Sequence, residues 1–158
     1  MTTTKPEAPN ATIADLAAQP IGYWSWATHK AVIRYIRSSM ARIGITQPQW
    51  WILFRVGSAE GGMSRQELRD LLSPTLDEGP DAIDRALDSA VALGWLTATA
   101  EETYVLTDAG REMKERTWAL VGQVRGEMHA GITDEEYAAA LSVLRRMIVN
   151  VGADELLR

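Results

Sequence analysis

Apolar residues along this chain recur mostly at three- and four-residue intervals, the period of a helix with one side turned from water. Ile33, Ile36, Met40 and Ile43 form one such stripe, and Trp24, Ala27, Ala31 and Tyr35 form a second. A helix apolar on two faces is usually held between partners. The pattern predicts this helix from about Asn10, with Gly44 ending it. A second helix starts at Thr46, where Thr46-x-x-Gln49 fits a capping box and Pro48 falls in the first turn. Trp50, Leu53 and Phe54 are its expected buried face, and Gly57 with Gly61-Gly62 closes it. Ser64-x-x-Glu67 opens a short third helix with Leu68, Leu71 and Leu72 inward.

Pro74 and Gly79 mark a loop, and Pro80 at a first helical position predicts a fourth helix. Its expected core residues are Ile83, Leu87, Ala90 and Val91, with Gly94 as a left-handed cap. The period then changes. Leu96, Ala98, Tyr104 and Leu106 alternate around a polar Ala-Glu-Glu-Thr turn, which predicts a two-stranded hairpin. A long helix follows from Thr107 to about Ala130. Thr133-x-x-Glu136 caps a last one, with Tyr137, Leu141, Leu144, Ile148 and Val151 on one face.

Four helices, a hairpin and two more helices make a mainly α chain with a small β-hairpin, an α+β fold. A helix-turn-helix followed at once by a hairpin is the winged helix-turn-helix layout, here flanked by long N- and C-terminal helices. The expected divisions are a disordered tail over 1–11, an N-terminal dimerisation helix region over 12–45 and the winged helix-turn-helix over 46–107. C-terminal dimerisation helices over 108–152 and a tail over 153–158 complete the chain. The outer helices carry more apolar surface than so small a core can cover, so a homodimer through the first and last helices is expected.

Composition narrows the function classes. The chain has 158 residues, no cysteine and a net charge of −5, which leaves no disulfide framework, thiolate metal site or cysteine nucleophile. The opening "MTTTKPEAPNAT" has no apolar core of a signal peptide, and charges interrupt every apolar run short of a membrane span. The expectation is a cytoplasmic protein. No Gly-rich phosphate loop, nucleophile elbow or metal-ligand spacing occurs, and His29 and His129 have no partner pattern. Neither an enzyme nor a cofactor is expected.

Four stretches in order resemble the MarR family of bacterial regulators: "GITQPQWWILFRVG" (44–57), "MSRQELRDLL" (63–72), "IDRALDSAVALGWL" (83–96) and "VLTDAGREM" (105–113). Together they span roughly residues 20–152. The resemblance implies a homodimeric, ligand-responsive transcription regulator, often a repressor, that binds double-stranded DNA. Its DNA contacts would then come from Ser64, Arg65, Arg69, Ala82, Arg85 and Ser89. The family's small-molecule pocket would lie between the first, second and fifth helices, lined by Trp26, His29, Ile33, Trp50 and Trp51. Arg34 or Arg55 would pair an anionic ligand there, by family analogy an aromatic or phenolic acid.

Charge leaves a second reading open. Residues 46–107 carry −6, while residues 1–45 carry +3 and residues 108–158 carry −2. Asp77, Glu78 and Asp81 are good helix-starting residues, since carboxylates there meet the positive end of the helix dipole. Affinity for duplex DNA, however, comes largely from cations that neutralise phosphates. In the resembling family, small hydroxyl residues and threonine stand where this chain has Asp81, Ala82 and Asp84. The hairpin turn also lacks the family's cation. The alternative is a winged-helix interaction module whose acidic helix docks a basic protein partner.

Overall fold

The computed structural model describes residues 12–75 and 81–157. The expected N-terminal tail, the helix start at Pro80 and the acids Asp77 and Glu78 lie outside them. The order is α1 (Ile13–Ala17), α2 (Ile21–Arg42), α3 (Gln47–Val56), β1 (Met63–Ser64), α4 (Arg65–Leu72), α5 (Asp81–Ala92), β2 (Leu96–Ala98), β3 (Thr103–Leu106), α6 (Asp108–Met128) and α7 (Asp134–Asn150). Single 3-10 turns follow α4 (Ser73–Thr75) and α7 (Asp154–Leu156). Among the described residues no helix is long and apolar enough to cross a membrane.

The capping boxes form as the spacing predicts. In α3 the Gln49 backbone N–H donates to Thr46 Oγ1, and the Thr46 N–H donates back to Gln49 Oε1 at 2.9 Å. Ser64 with Glu67 and Thr133 with Glu136 do the same for α4 and α7. Gly44 and Gly94 take φ of 81° and 74°, the left-handed region that lets a helix end without a Cβ penalty.

Three expectations need correction. The first helix is two helices, α1 and α2, separated at Ala18–Pro20, because Pro20 has no N–H to donate into the preceding turn and restricts the residue before it. The hairpin is part of a three-stranded antiparallel sheet in the order β1-β3-β2, with Met63 opposite Tyr104 and Leu96 opposite Leu106. Two residues are too few to show a period, so β1 left no pattern in the sequence. Leu71 and Val91 are 43% and 38% exposed. At about 100° per residue, Ala90 points within about 20° of Ile83 whereas Val91 is rotated about 80° from it.

Residues up to Tyr35 and those from Ile36 onward form two compact units. The core of the second joins Ile52 and Leu53 of α3, Leu68 of α4, and Ile83, Leu87 and Ala90 of α5, all fully buried. Met40, Ile45, Trp95 and Leu96 close its edges.

The join between sheet and α6 is a tight clasp. The Thr107 N–H donates to the Trp95 carbonyl at 3.1 Å, and its hydroxyl donates to the Gly94 carbonyl at 2.6 Å. The same hydroxyl caps α6 by accepting the Gly110 N–H at 3.0 Å. Gly110 is there because a Cβ would stand 2.0 Å from the Trp95 oxygen.

Candidate nucleic-acid interface and aromatic cavity

Helices α4 and α5 form the helix-turn-helix and β2–β3 the wing. The packing of Leu68 and Leu72 against α5 fixes which side chains of α4 remain outward. Arg65 and Arg69, one turn apart on α4, face Asp84 and Asp88, one turn apart on α5. Arg65 donates from one terminal nitrogen to Asp84 Oδ1 at 3.0 Å and from the other to Asp88 Oδ1 at 2.6 Å. That second nitrogen also donates to the Tyr104 hydroxyl at 3.2 Å, with the guanidinium 5.8 Å from the ring centre. Arg69 Nε donates to both Asp84 oxygens, at 2.9 and 2.8 Å. Asp84 thus receives two guanidinium groups while its side chain is only 19% exposed.

The electrostatic consequences follow the geometry. The hydrogen bonds from Arg69, and then those from Arg65, hold the Asp84 carboxyl below the usual carboxylate range. Asp88 and Asp84 push the Arg65 guanidinium above its ordinary value, and Asp84 does the same to Arg69. Both arginines stay charged, but the charge is answered within the protein. The carboxylates of α5 are therefore arginine partners as well as helix-starting residues. Two pairs at i and i+4, Arg65/Arg69 and Asp84/Asp88, were the available signal.

The other positions named from the sequence fall in different settings. Ser64 has its side chain in the α4 capping box. Ala82 is buried at 4% exposure and packs inward. The Ser89 hydroxyl accepts a hydrogen bond from Gln49 Nε2 at 2.9 Å. Arg85 is exposed, and no carboxylate among the described residues pairs with it. It borders an open groove of about 350 Å³ shared with Arg37, Thr46, Gln49 and Ser89. At the wing tip, Glu101 and Glu102 are exposed.

On another side of the second unit lies an open cavity of about 360 Å³ between α3, the end of α4 and α6. Trp50, Trp51 and Arg55 line it, together with Phe54, Leu71 and Trp118. Phe54 and Trp118 stack at 5.7 Å between ring centres with planes 8° apart, and Trp50 lies 5.5 Å from Phe54. Lys114 Nζ sits 5.7 Å from the Phe54 ring centre. Apolar rings with a cation, Arg55, at the rim suit a small planar anion. Phe54 and Trp118 were not foreseen as lining residues, because sixty-odd positions separate them in sequence.

The remaining residues expected at the pocket, Trp26, His29, Ile33 and Arg34, lie on α2 before Ile36, in the first unit. Trp26 is 58% exposed, with Lys30 Nζ 5.6 Å from its ring centre and Tyr23 at 6.2 Å. Ile33 is half-buried, and His29 and Arg34 are exposed.

A helix-turn-helix with a three-stranded wing and long flanking helices defines the winged-helix class of proteins. Within that class the fold is that of the MarR family of transcription regulators. The reduced form of MarR from E. coli matches with a TM-score of 0.64 and 25% identity, over 82% of this chain and 94% of that one. A MarR family protein of Mycobacterium tuberculosis in complex with DNA matches with a TM-score of 0.63 and 21% identity, over 85% and 98%. A complex of a Mycobacterium tuberculosis MarR family protein with salicylic acid matches with a TM-score of 0.60 and 19% identity, over 82% and 98%. No family model and no curated relative matches the sequence.

Proposed function

We propose that this protein is a cytoplasmic, homodimeric DNA-binding transcription regulator whose affinity for its operator responds to a small aromatic acid, acting as a repressor. The observation that carries the reading is Arg85, exposed and without a carboxylate partner among the described residues, on the second helix of a winged helix-turn-helix. An arginine on that helix is the side chain suited to a bidentate contact with guanine in a major groove. Arg65 and Arg69 on α4 supply phosphate contacts, beside Ser64 at the helix start. Ser89 lies one turn beyond Arg85, and Ala82 supports the helix from within.

Dimerisation is supported by the apolar face of α7. Leu141, Leu144, Met147 and Val151 are 43%, 36%, 40% and 78% exposed, more apolar surface on one face than a lone small domain usually leaves open. The aromatic cavity supports the ligand. Trp50, Trp51 and Trp118 form its apolar walls and Arg55 its anion partner.

Fluorescence anisotropy with random duplex DNA and with the gene's own upstream region, at low and moderate salt, tests the core of the reading. Tighter binding to the upstream fragment, steep in salt and lost in Arg85→Ala, is expected. Equal affinity of Arg85→Ala and wild type would sink the assignment. Light scattering reads the dimer. Quenching of tryptophan fluorescence by salicylate, weakened in Arg55→Ala, reads the cavity.

The second reading is an interaction module that docks a basic protein. It is favoured by the charge of −6 over residues 46–107. Absence of binding to either DNA at low salt selects it.

A further inference from the structure

We infer that Asp84, assisted by Asp88, is an internal competitor for the DNA backbone: it occupies the two arginine forks of α4 that a phosphate would otherwise fill, so that non-specific DNA is held weakly. The inference rests on the reading of α4–α5 as a DNA-binding element and adds a device that sets its selectivity.

The geometry supports competition and not simple proximity. A phosphate oxygen pair and a carboxylate make the same demand on a guanidinium, two parallel N–H donors in one plane. Arg69 gives Asp84 its Nε and a terminal nitrogen, the edge that would bind phosphate. Arg65 gives one terminal nitrogen to Asp84 and the other to Asp88, with Tyr104 as a further acceptor on the second. These contacts use both terminal nitrogens of Arg65 and the Nε edge of Arg69, and the carboxylate charges offset what the remaining N–H groups offer an oxyanion. Yet the arginines are 34% and 44% exposed, and Asp88 is 66% exposed, so the clasp is at the surface and open to exchange.

A partner must therefore displace carboxylates one for one. Non-specific DNA offers only phosphates in return and gains little over the internal pairs. An operator that also engages Arg85 through its bases supplies the difference. Asp84 and Asp88 lower affinity for every sequence, and only the right one recovers it.

Anisotropy with a random-sequence duplex over a salt series tests this, comparing wild type with D84N, D88N, R65A and the D84N/R65A double variant. D70N serves as the control, since Asp70 bonds to Gln66 and carries the same charge without pairing an arginine among the described residues. Each arginine released to a phosphate is expected to tighten binding about tenfold near 0.1 M salt and to steepen the salt slope by about 1. D84N should therefore exceed wild type and D70N clearly, with D88N showing a smaller gain through Arg65 alone. R65A should cost little in wild type but remove part of the gain in D84N.

Thermal melting checks that D84N folds. If it does not, D88N and R65A decide the matter, because Asp88 is too exposed to be needed for folding. Wild type that binds while D84N and D88N bind no tighter than D70N, or more weakly, overturns the competitor and leaves the DNA-binding reading intact. Failure of every protein to bind the random duplex at low salt overturns the competitor, and failure on the upstream fragment as well overturns both. Binding of the random duplex that appears only in D84N and D88N supports the competitor.

Discussion

Replacing Gly110 by alanine places a methyl group against the backbone of Trp95. The new Cβ would lie 2.0 Å from the Trp95 oxygen, 2.9 Å from its carbonyl carbon and 3.2 Å from its Cα. These are backbone atoms at the entry to β2, so no side chain can swing aside. To restore an ordinary contact of 3.4 Å, α6 must withdraw by about 1.4 Å. That movement stretches the 3.1 Å hydrogen bond from Thr107 to the same carbonyl and the 2.6 Å bond to Gly94. Overpacking of this kind costs about 1–3 kcal/mol and weakened hydrogen bonds about 1 kcal/mol each. The better helix propensity of alanine returns about 1 kcal/mol. The expected net loss is about 2–4 kcal/mol, a fall in Tm of roughly 5–15 °C for a chain of this size. Gly122 and Gly126 provide the controls: both lie in α6, and a Cβ at either meets nothing within 4 Å. Alanine at either position should raise Tm by roughly 2–4 °C. The same substitution in one helix is thus expected to change sign with position. A Gly110→Ala protein as stable as wild type would refute the clasp.

Three further perturbations test the site and its supports. Glu102 at the wing tip has φ of 58°, a conformation that costs a residue with a side chain about 1 kcal/mol; Glu102→Gly should raise Tm by roughly 1–4 °C and Glu102→Val should lower it, and equal melting of all three would remove the strain argument. Gln49 is 5% exposed and joins the Thr46 N–H to the Ser89 hydroxyl; Gln49→Ala should cost about 1–3 kcal/mol in urea unfolding, whereas Gln49→Glu, which keeps the cap, should cost less. Asp84 titrates below the usual carboxylate value, so its stabilising contribution is complete above about pH 4 and is lost as pH falls through its depressed value. The stability difference between wild type and D84N should therefore hold from neutrality to about pH 5 and close below about pH 4; a difference that grows on acidification would show that the Arg65 and Arg69 contacts do not stabilise the fold.

Much of the architecture is set by short-range chemistry and is legible in the sequence. A capping box needs only residues three apart, so Thr46–Gln49, Ser64–Glu67 and Thr133–Glu136 mark real helix starts. Gly44 and Gly94 announce helix ends because only glycine takes their φ without strain. The "VLTDAGREM" stretch can be recognised by its pattern, but its reason is tertiary: Thr107 caps α6 and ties it to Gly94, and Gly110 leaves room for the Trp95 carbonyl.

What the sequence could not decide are the encounters between distant residues. An acidic α5 reads as a helix start until α4 is packed beside it; then Asp84 and Asp88 meet Arg65 and Arg69 across a gap of 15 to 23 residues. Phe54 and Trp118 stack because the core brings α3 against α6, and no periodicity in either helix encodes the pairing. Strand β1 exists only because β3 offers it hydrogen bonds. Local steric and hydrogen-bonding rules act within a few residues and leave a pattern that can be read. Side-chain charge and shape acquire their roles only when the burial of Leu53, Leu68 and Leu87 in one core has fixed which groups face each other.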